Sequence, residues 1–277
     1  LADETVAIPW PIPLAEAELS AKDLTHPRLA EVTPVPPRRI LVLGANGQLG
    51  LALRAEYADA THVEFASQAD LDLTSPDLPA ARRWRDYSAI INAAAYTAVD
   101  AAETAEGRRD AWAANVTGVV ALARVAAEND ITLVHVSSDY VFDGAADAAY
   151  REDDPLCPLG VYGQTKAAGD AAVTIAPRHL IVRTSWVIGE GRNFVRTMAS
   201  LAERGVDPSV VDDQVGRLTF TDDLARGIRH LIEAGVPSGV YNLTGSGAPA
   251  SWARVAKWVF ELTGNDPARV TPVSTEE

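Results

Sequence analysis

The chain has 277 residues and a formal net charge of −14, which argues against nucleic acid or an anionic membrane surface as a partner. Its length suits one large or two interleaved domains with a substantial core. A lone cysteine, Cys157, rules out an internal disulfide and fits a reducing cytoplasm, and no apolar stretch reaches membrane-spanning length.

Residues 1–37 differ from the rest. Prolines recur at 9, 11, 13, 27, 34, 36 and 37, and the segment reads as an extended arm and linker with one helical turn near Leu14–Leu19. Ile8, Trp10, Ile12 and Leu14 are unusually apolar for a disordered tail and suit packing on a neighbour. The first residue is Leu1 rather than methionine, as expected of a processed or cloned piece.

From Arg38 strand and helix alternate. The strands expected are Ile40–Leu43, His62–Phe65, Ala89–Asn92, Thr132–Val136 and Leu180–Arg183, with helices over Leu49–Tyr57, Pro79–Asp86, Ala111–Asn129 and Val161–Ile175. This order specifies a Rossmann-type, doubly wound parallel α/β sheet with ligands at the carboxyl ends of the strands. Residues 38–187 form that domain. After Trp186 the alternation loosens into helix 193–204, strand 209–211, helix 222–234, strand 240–243 and helix 252–263. Residues 188–277 are expected to form a smaller, interleaved α/β lobe over a substrate.

The first strand runs into Gly44-Ala45-Asn46-Gly47-Gln48-Leu49-Gly50. Glycines there allow a tight turn and close backbone approach to a pyrophosphate, which sits at the N-terminus of the following helix. The end of the second strand chooses between a ribose hydroxyl and a 2′-phosphate. In Glu64-Phe65-Ala66-Ser67-Gln68 the acid falls too early and no arginine follows, so NADPH and NADH both stay open. Asp72 either hydrogen-bonds an adenine or caps a helix beginning near Pro76. In Asn92-Ala93-Ala94-Ala95-Tyr96-Thr97 small side chains admit a cofactor against the backbone or serve close helix packing.

Further on, Tyr162 and Lys166 stand four residues apart on one helix face, where an ammonium lowers a phenol's pKa from its usual value of about 10. Such a tyrosine exchanges a proton with a carbonyl oxygen beside a nicotinamide. Ser138, 24 residues before the tyrosine, is the candidate to hold the reacting oxygen, with Ser137 as competitor and a backbone-capping turn as the plain alternative. His135 alternates with valines inside a strand and reads as a core histidine. No metal-ligand spacing appears among the histidines and the cysteine.

These segments, with Arg183-Thr184-Ser185-Trp186-Val187, Asp213-Gln214-Val215-Gly216-Arg217-Leu218-Thr219 and Gly239-Val240-Tyr241-Asn242-Leu243-Thr244-Gly245, resemble the extended short-chain dehydrogenase/reductases. Within that group the match is to the dTDP-4-dehydrorhamnose reductase family, over nearly everything from residue 38. The resemblance implies reduction of the C4 ketone of dTDP-4-dehydro-L-rhamnose, with Tyr162, Lys166 and Ser138 catalytic. It implies dinucleotide contacts from Gly44, Asn46, Gly47, Gln48, Leu49, Gly50, Asp72, Leu73, Ala93, Ala94, Ala95, Tyr162 and Lys166, with NADPH or NADH as cofactor. Ser138, Asp139, Trp186, Thr97 and Val99 would face the sugar nucleotide. Some relatives form magnesium-linked dimers, so Mg2+ is implied by resemblance alone, and monomer and homodimer both stay open. A sugar-nucleotide epimerase or dehydratase, or a reductase-like regulatory subunit, is the alternative within the same resemblance.

The arm has a likeness of its own. Val6-Ala7-Ile8-Pro9-Trp10-Pro11-Ile12-Pro13, Glu18–Asp23 and Pro27–Glu31 resemble the C-terminal tail of the dTDP-4-dehydrorhamnose 3,5-epimerase family. That implies the reductase part of an epimerase–reductase fusion, or an associated epimerase. The chain is also expected to stop short of its relatives at Val273–Glu277.

Overall fold

Seven prolines between residues 9 and 37 deny the N-terminal segment any long helix or ladder. A computed structural model describes residues 9–13 and 15–275. The chain divides into two compact units, Leu1–Pro37 and Arg38–Glu277. In the first, the regular pieces among the described residues are the single turn α1 (Ala21–Leu24) and a 3-10 turn at Leu29–Glu31. The helical turn expected at Leu14–Leu19 is displaced: over its described part the chain makes a reverse turn, Glu16 N–H to Pro13 O at 2.9 Å, and the helix follows later. Leu1–Ile8, and with them part of the epimerase-tail likeness, lie outside the described residues.

The second unit is built on a six-stranded parallel sheet. Its strands are β1 (Arg39–Leu43), β2 (Val63–Ala66), β3 (Tyr87–Asn92), β4 (Thr132–Ser138), β5 (His179–Thr184) and β10 (Gly239–Asn242), in the order β10-β5-β4-β3-β1-β2. Period two sends alternate residues to opposite faces. Leu41, Leu43, Ile90 and Leu133 pack on one face with α4 (Gly118–Glu128) and α5 (Val161–Val173). Ile40, Val42, Ile91 and Val134 pack on the other with α2 (Gln48–Glu56) and α7 (Thr221–Glu233). The sheet is thus covered on both sides, as near-continuous apolar strands require.

Several elements depart from the sequence reading. The helix expected over Pro79–Asp86 is two 3-10 turns, Leu78–Ala80 and Trp84–Asp86. The alanine-rich helix begins earlier, as α3 (Ala105–Trp112), because the Thr104 hydroxyl accepts the Gly107 N–H at 3.0 Å and caps it. It then passes through a π segment, Ala113–Thr117, before continuing as α4. The strand expected at 240–243 in the second lobe is β10, which extends the central sheet beside β5. Between β5 and the C-terminus, β6 (Val187–Ile188) pairs with β9 (Thr219–Phe220), β8 (Val215–Gly216) with β11 (Ala250–Ser251), and β7 (Ser209–Val211) with β12 (Thr271–Val273). A separate apolar cluster joins α6 (Phe194–Glu203) to α8 (Trp252–Leu262) through Met198, Ala202, Ala256 and Phe260.

Candidate active site

The carboxyl ends of β1, β3, β4 and β5 open into a cleft of about 1380 Å³. Single small-molecule sites run to roughly 300–1,000 Å³, so this volume suits two ligands side by side. Gly44, Asn46, Gly47, Gln48, Leu49, Asp72, Leu73, Ala93, Ala94, Ala95, Thr97, Val99, Ser138, Asp139, Tyr162, Lys166 and Trp186 all line it. Gly50 does not: it is buried beneath the turn, where a Cβ would stand 2.2 Å from the Gly44 carbonyl oxygen. Gly44 turns the chain at φ +76°, and a Cβ there would meet the Ala94 nitrogen at 2.7 Å.

The first turn of α2 faces this cleft. Its N-cap, Gly47, brings no side chain to the helix's first N–H groups, which leaves donors and the positive end of the dipole for an anion. The turn therefore fits a dinucleotide pyrophosphate. Gln48 is directed elsewhere. Its Oε1 accepts from Gly189 N at 2.9 Å and Asn193 Nδ2 at 3.2 Å, tying the turn to the loop before α6. Asp72 Oδ1 is engaged by Thr74, through N and Oγ1 at 2.8 Å each, so it closes a local turn.

At the other end of the cleft, α5 carries Tyr162 and Lys166 inward. The first of its N–H groups is satisfied from afar, Val161 N donating to Glu103 Oε1 at 2.8 Å. Ser138 ends β4. Its hydroxyl donates to Asp139 Oδ1 at 3.0 Å and accepts the Tyr140 N–H at 3.2 Å, so the capping role is realised at a residue that also faces the cleft. Ser137 lines the cleft too, with 3 % of its surface exposed.

The electrostatics correct one expectation. Burial pushes the Tyr162 phenol above its ordinary value, and the Ser138 hydroxyl opposes that shift, with nearby Asp139 adding to it. The lowering expected from Lys166 is absent because the ammonium is turned toward the strand, donating to Val136 O at 2.7 Å. Desolvation brings Lys166 itself down to about 8, against the pull of Asp170. Burial likewise raises the Asp139 carboxyl to about 6. Asp170 forms a buried ion pair with Arg183 Nε at 3.1 Å.

Trp252, Phe194, Arg192 and Asn193 also line the cleft, outside the sequence motifs. Trp252 stacks on Trp186 with ring centroids 3.6 Å apart, and Phe194 leans on Trp252 at 4.4 Å. Trp186 holds φ at +39°, an uncommon conformation for a non-glycine residue. Among the described residues Arg192 is the one arginine lining the cleft, which is also lined by the buried Lys166 and the acids Asp72, Asp110 and Asp139. Asn193 Oδ1 caps α6 through Arg196 N at 3.0 Å, and an asparagine before an apolar periodic run is the signal that marks that turn. Asn115 in the π segment bonds Tyr96 N, Tyr96 O and Thr165 Oγ1 at 2.8–3.0 Å, bracing the β3 loop against α5.

Comparison with known proteins gives the chain's relatives. A family model described as the RmlD substrate binding domain matches residues 38–277. A dTDP-4-dehydrorhamnose reductase of Sinorhizobium fredii is 39% identical over 252 residues, covering 86% of this chain and 84% of that protein. A protein of Streptomyces niveus named dTDP-4-keto-6-deoxy-D-glucose reductase is 40% identical over 245 residues, covering 86% and 83%. The crystal structure of dTDP-4-dehydrorhamnose reductase from Bacillus anthracis in complex with NADP superposes with a TM-score of 0.80 at 34% identity, covering 87% of this chain and 85% of that one.

Proposed function

The chain belongs to the RmlD substrate binding domain family, that of the dTDP-4-dehydrorhamnose reductases, and from that premise we propose that it reduces the C4 ketone of dTDP-4-dehydro-L-rhamnose to dTDP-L-rhamnose. A reduced nicotinamide, NADPH or NADH, supplies the hydride when bound along the glycine turn and Ala93–Ala95. Tyr162 delivers its phenolic proton to the developing alkoxide at C4. Its raised pKa suits that direction, since the phenol stays protonated until a strong base forms beside it. Ser138 orients the same oxygen. Lys166 holds the ribose hydroxyls and restores the tyrosine's proton. Trp186, with Trp252 stacked behind it, forms an apolar wall against the deoxysugar, and Asp139, Thr97 and Val99 complete that side.

The observation that carries this reading is the meeting of Tyr162, Lys166 and Ser138 in one cleft with the uncapped start of α2. Retention of all three argues against a purely regulatory role. Incubation with dTDP-4-dehydro-L-rhamnose and either nicotinamide should yield dTDP-L-rhamnose. Faster turnover of the 4-keto-6-deoxy-D-glucose nucleotide would assign the chain to the chemistry for which the Streptomyces niveus relative is named. The arm's likeness to an epimerase tail supports an associated epimerase module as a further proposal; absence of epimerase activity from the full-length native protein and its complexes would remove it.

A further inference from the structure

His135 stands in the middle of β4 with 1 % of its surface exposed, on the sheet face that α5 covers. Two polar groups meet its ring. Asn92 Nδ2, from the directly opposite residue of β3, lies 3.1 Å from Nδ1, and Lys166 Nζ lies 3.4 Å from Nε2. Burial and the neighbouring lysine hold the imidazole well below its ordinary pKa, so the ring is neutral. A neutral imidazole has one acceptor and one N–H. Both neighbours cannot donate to it.

Asn92 decides which nitrogen is which. Its Oδ1 accepts the Ala94 N–H at 3.2 Å, which turns the amide NH2 toward the ring. An amide NH2 only donates, so Nδ1 accepts and the ring hydrogen sits on Nε2, facing Lys166. An N–H opposing an ammonium is repulsive, whereas the same N–H donates to the lone pair of an uncharged amine. Lys166 keeps its donation to Val136 O at 2.7 Å in either state.

We propose that Asn92 and His135 are positioning residues that aim the ring Nε2–H at Lys166 and so favour its uncharged amine over the ammonium. In turnover, on the reductase reading, a proton must return to Tyr162 after it is given to the C4 oxygen; a Lys166 that releases its proton easily serves that return, and the amine left behind accepts the His135 Nε2–H until water supplies a proton. The role in turnover rests on the reductase reading; the hydrogen-bond order does not. The other titratable groups around Lys166 are Tyr162 and Asp170, one turn before and after it on its own helix, and Arg183 on β5, which reaches Asp170. Asp170 favours the ammonium, but its charge is shared with Arg183 at 3.1 Å.

The chain holds three lysines, Lys22, Lys166 and Lys257, and five histidines, so both side-chain types resolve individually by NMR. Histidine labelled with 15N and lysine labelled with 13C at Cε are followed against pH in the whole chain. His135 should be the neutral Nε2–H tautomer throughout the neutral range, with Lys166 titrating near 8. In Asn92→Asp the carboxylate accepts from Nδ1–H, Nε2 turns to the ammonium, and Lys166 should titrate about one to three units higher. An Nδ1–H tautomer or an imidazolium in the wild type overturns the proposal without recourse to any variant. So does a Lys166 titration unmoved in Asn92→Asp. The expected tautomer in a chain that turns nothing over supports the hydrogen-bond order and removes the reductase reading instead.

Discussion

The side-chain oxygen of Gln48 accepts the backbone N–H of Gly189 at 2.9 Å, joining the first residue of α2 to a loop far along the chain. The same oxygen takes Asn193 Nδ2 at 3.2 Å, so one carboxamide ties the glycine turn to the segment that carries Arg192. Gln48→Leu leaves two donors without their acceptor, at a cost of about 1–3 kcal/mol. Steady-state kinetics should show the KM values for nicotinamide and sugar nucleotide both rising, by about tenfold each. A rise in one alone would contradict the tie.

Lys166 links function to stability. Its pKa falls from 10.5 to about 8 on folding, so the unfolded chain holds that proton more tightly. Stability therefore rises with pH between those values, and the full cost of the buried charge is present below about 8. Lys166→Met should stabilise the fold by about 1–3 kcal/mol at neutral pH, less at alkaline pH, while abolishing turnover. Denaturant unfolding at both pH values checks it. A variant less stable than wild type at neutral pH would contradict the sign.

Arg192 lines the cleft and, on the proposed reading, would meet the diphosphate of the sugar nucleotide. Among the described residues its guanidinium has no ion-pair or hydrogen-bond partner, while Lys166 is engaged with Val136. Arg192→Ala should raise the KM for the sugar nucleotide by about 10–100-fold and leave that for the nicotinamide near its wild-type value, with partial recovery in Arg192→Lys. Equal effects on both would place the arginine elsewhere in the cleft.

Much of this site was legible because its signals are local. The Gly44–Gly50 turn, the strand ends at Asn92 and Ser138, and the one-turn spacing of Tyr162 and Lys166 each depend on near neighbours in the chain. Strand order is not local, which is why β10 read as part of the second lobe. The π segment at Ala113–Thr117 was invisible because the alanine-rich run keeps its helical character around it, and its effect is to aim Asn115 at Tyr96 and Thr165. The direction of the Tyr162 shift is not legible from spacing either, because it depends on burial. Spacing brings Lys166 alongside the phenol, but only the packed fold shows the phenol desolvated and the ammonium bound to Val136.

Tyr162 is proposed as the proton donor of a nicotinamide-dependent ketone reduction. The most direct test follows NADPH or NADH oxidation by wild type and Tyr162→Phe with dTDP-4-dehydro-L-rhamnose, alongside cofactor binding to both. The account predicts turnover in the wild type and a loss of about 10²–10⁴-fold in kcat for Tyr162→Phe, with cofactor affinity retained. A Tyr162→Phe enzyme that turns over at the wild-type rate would contradict it.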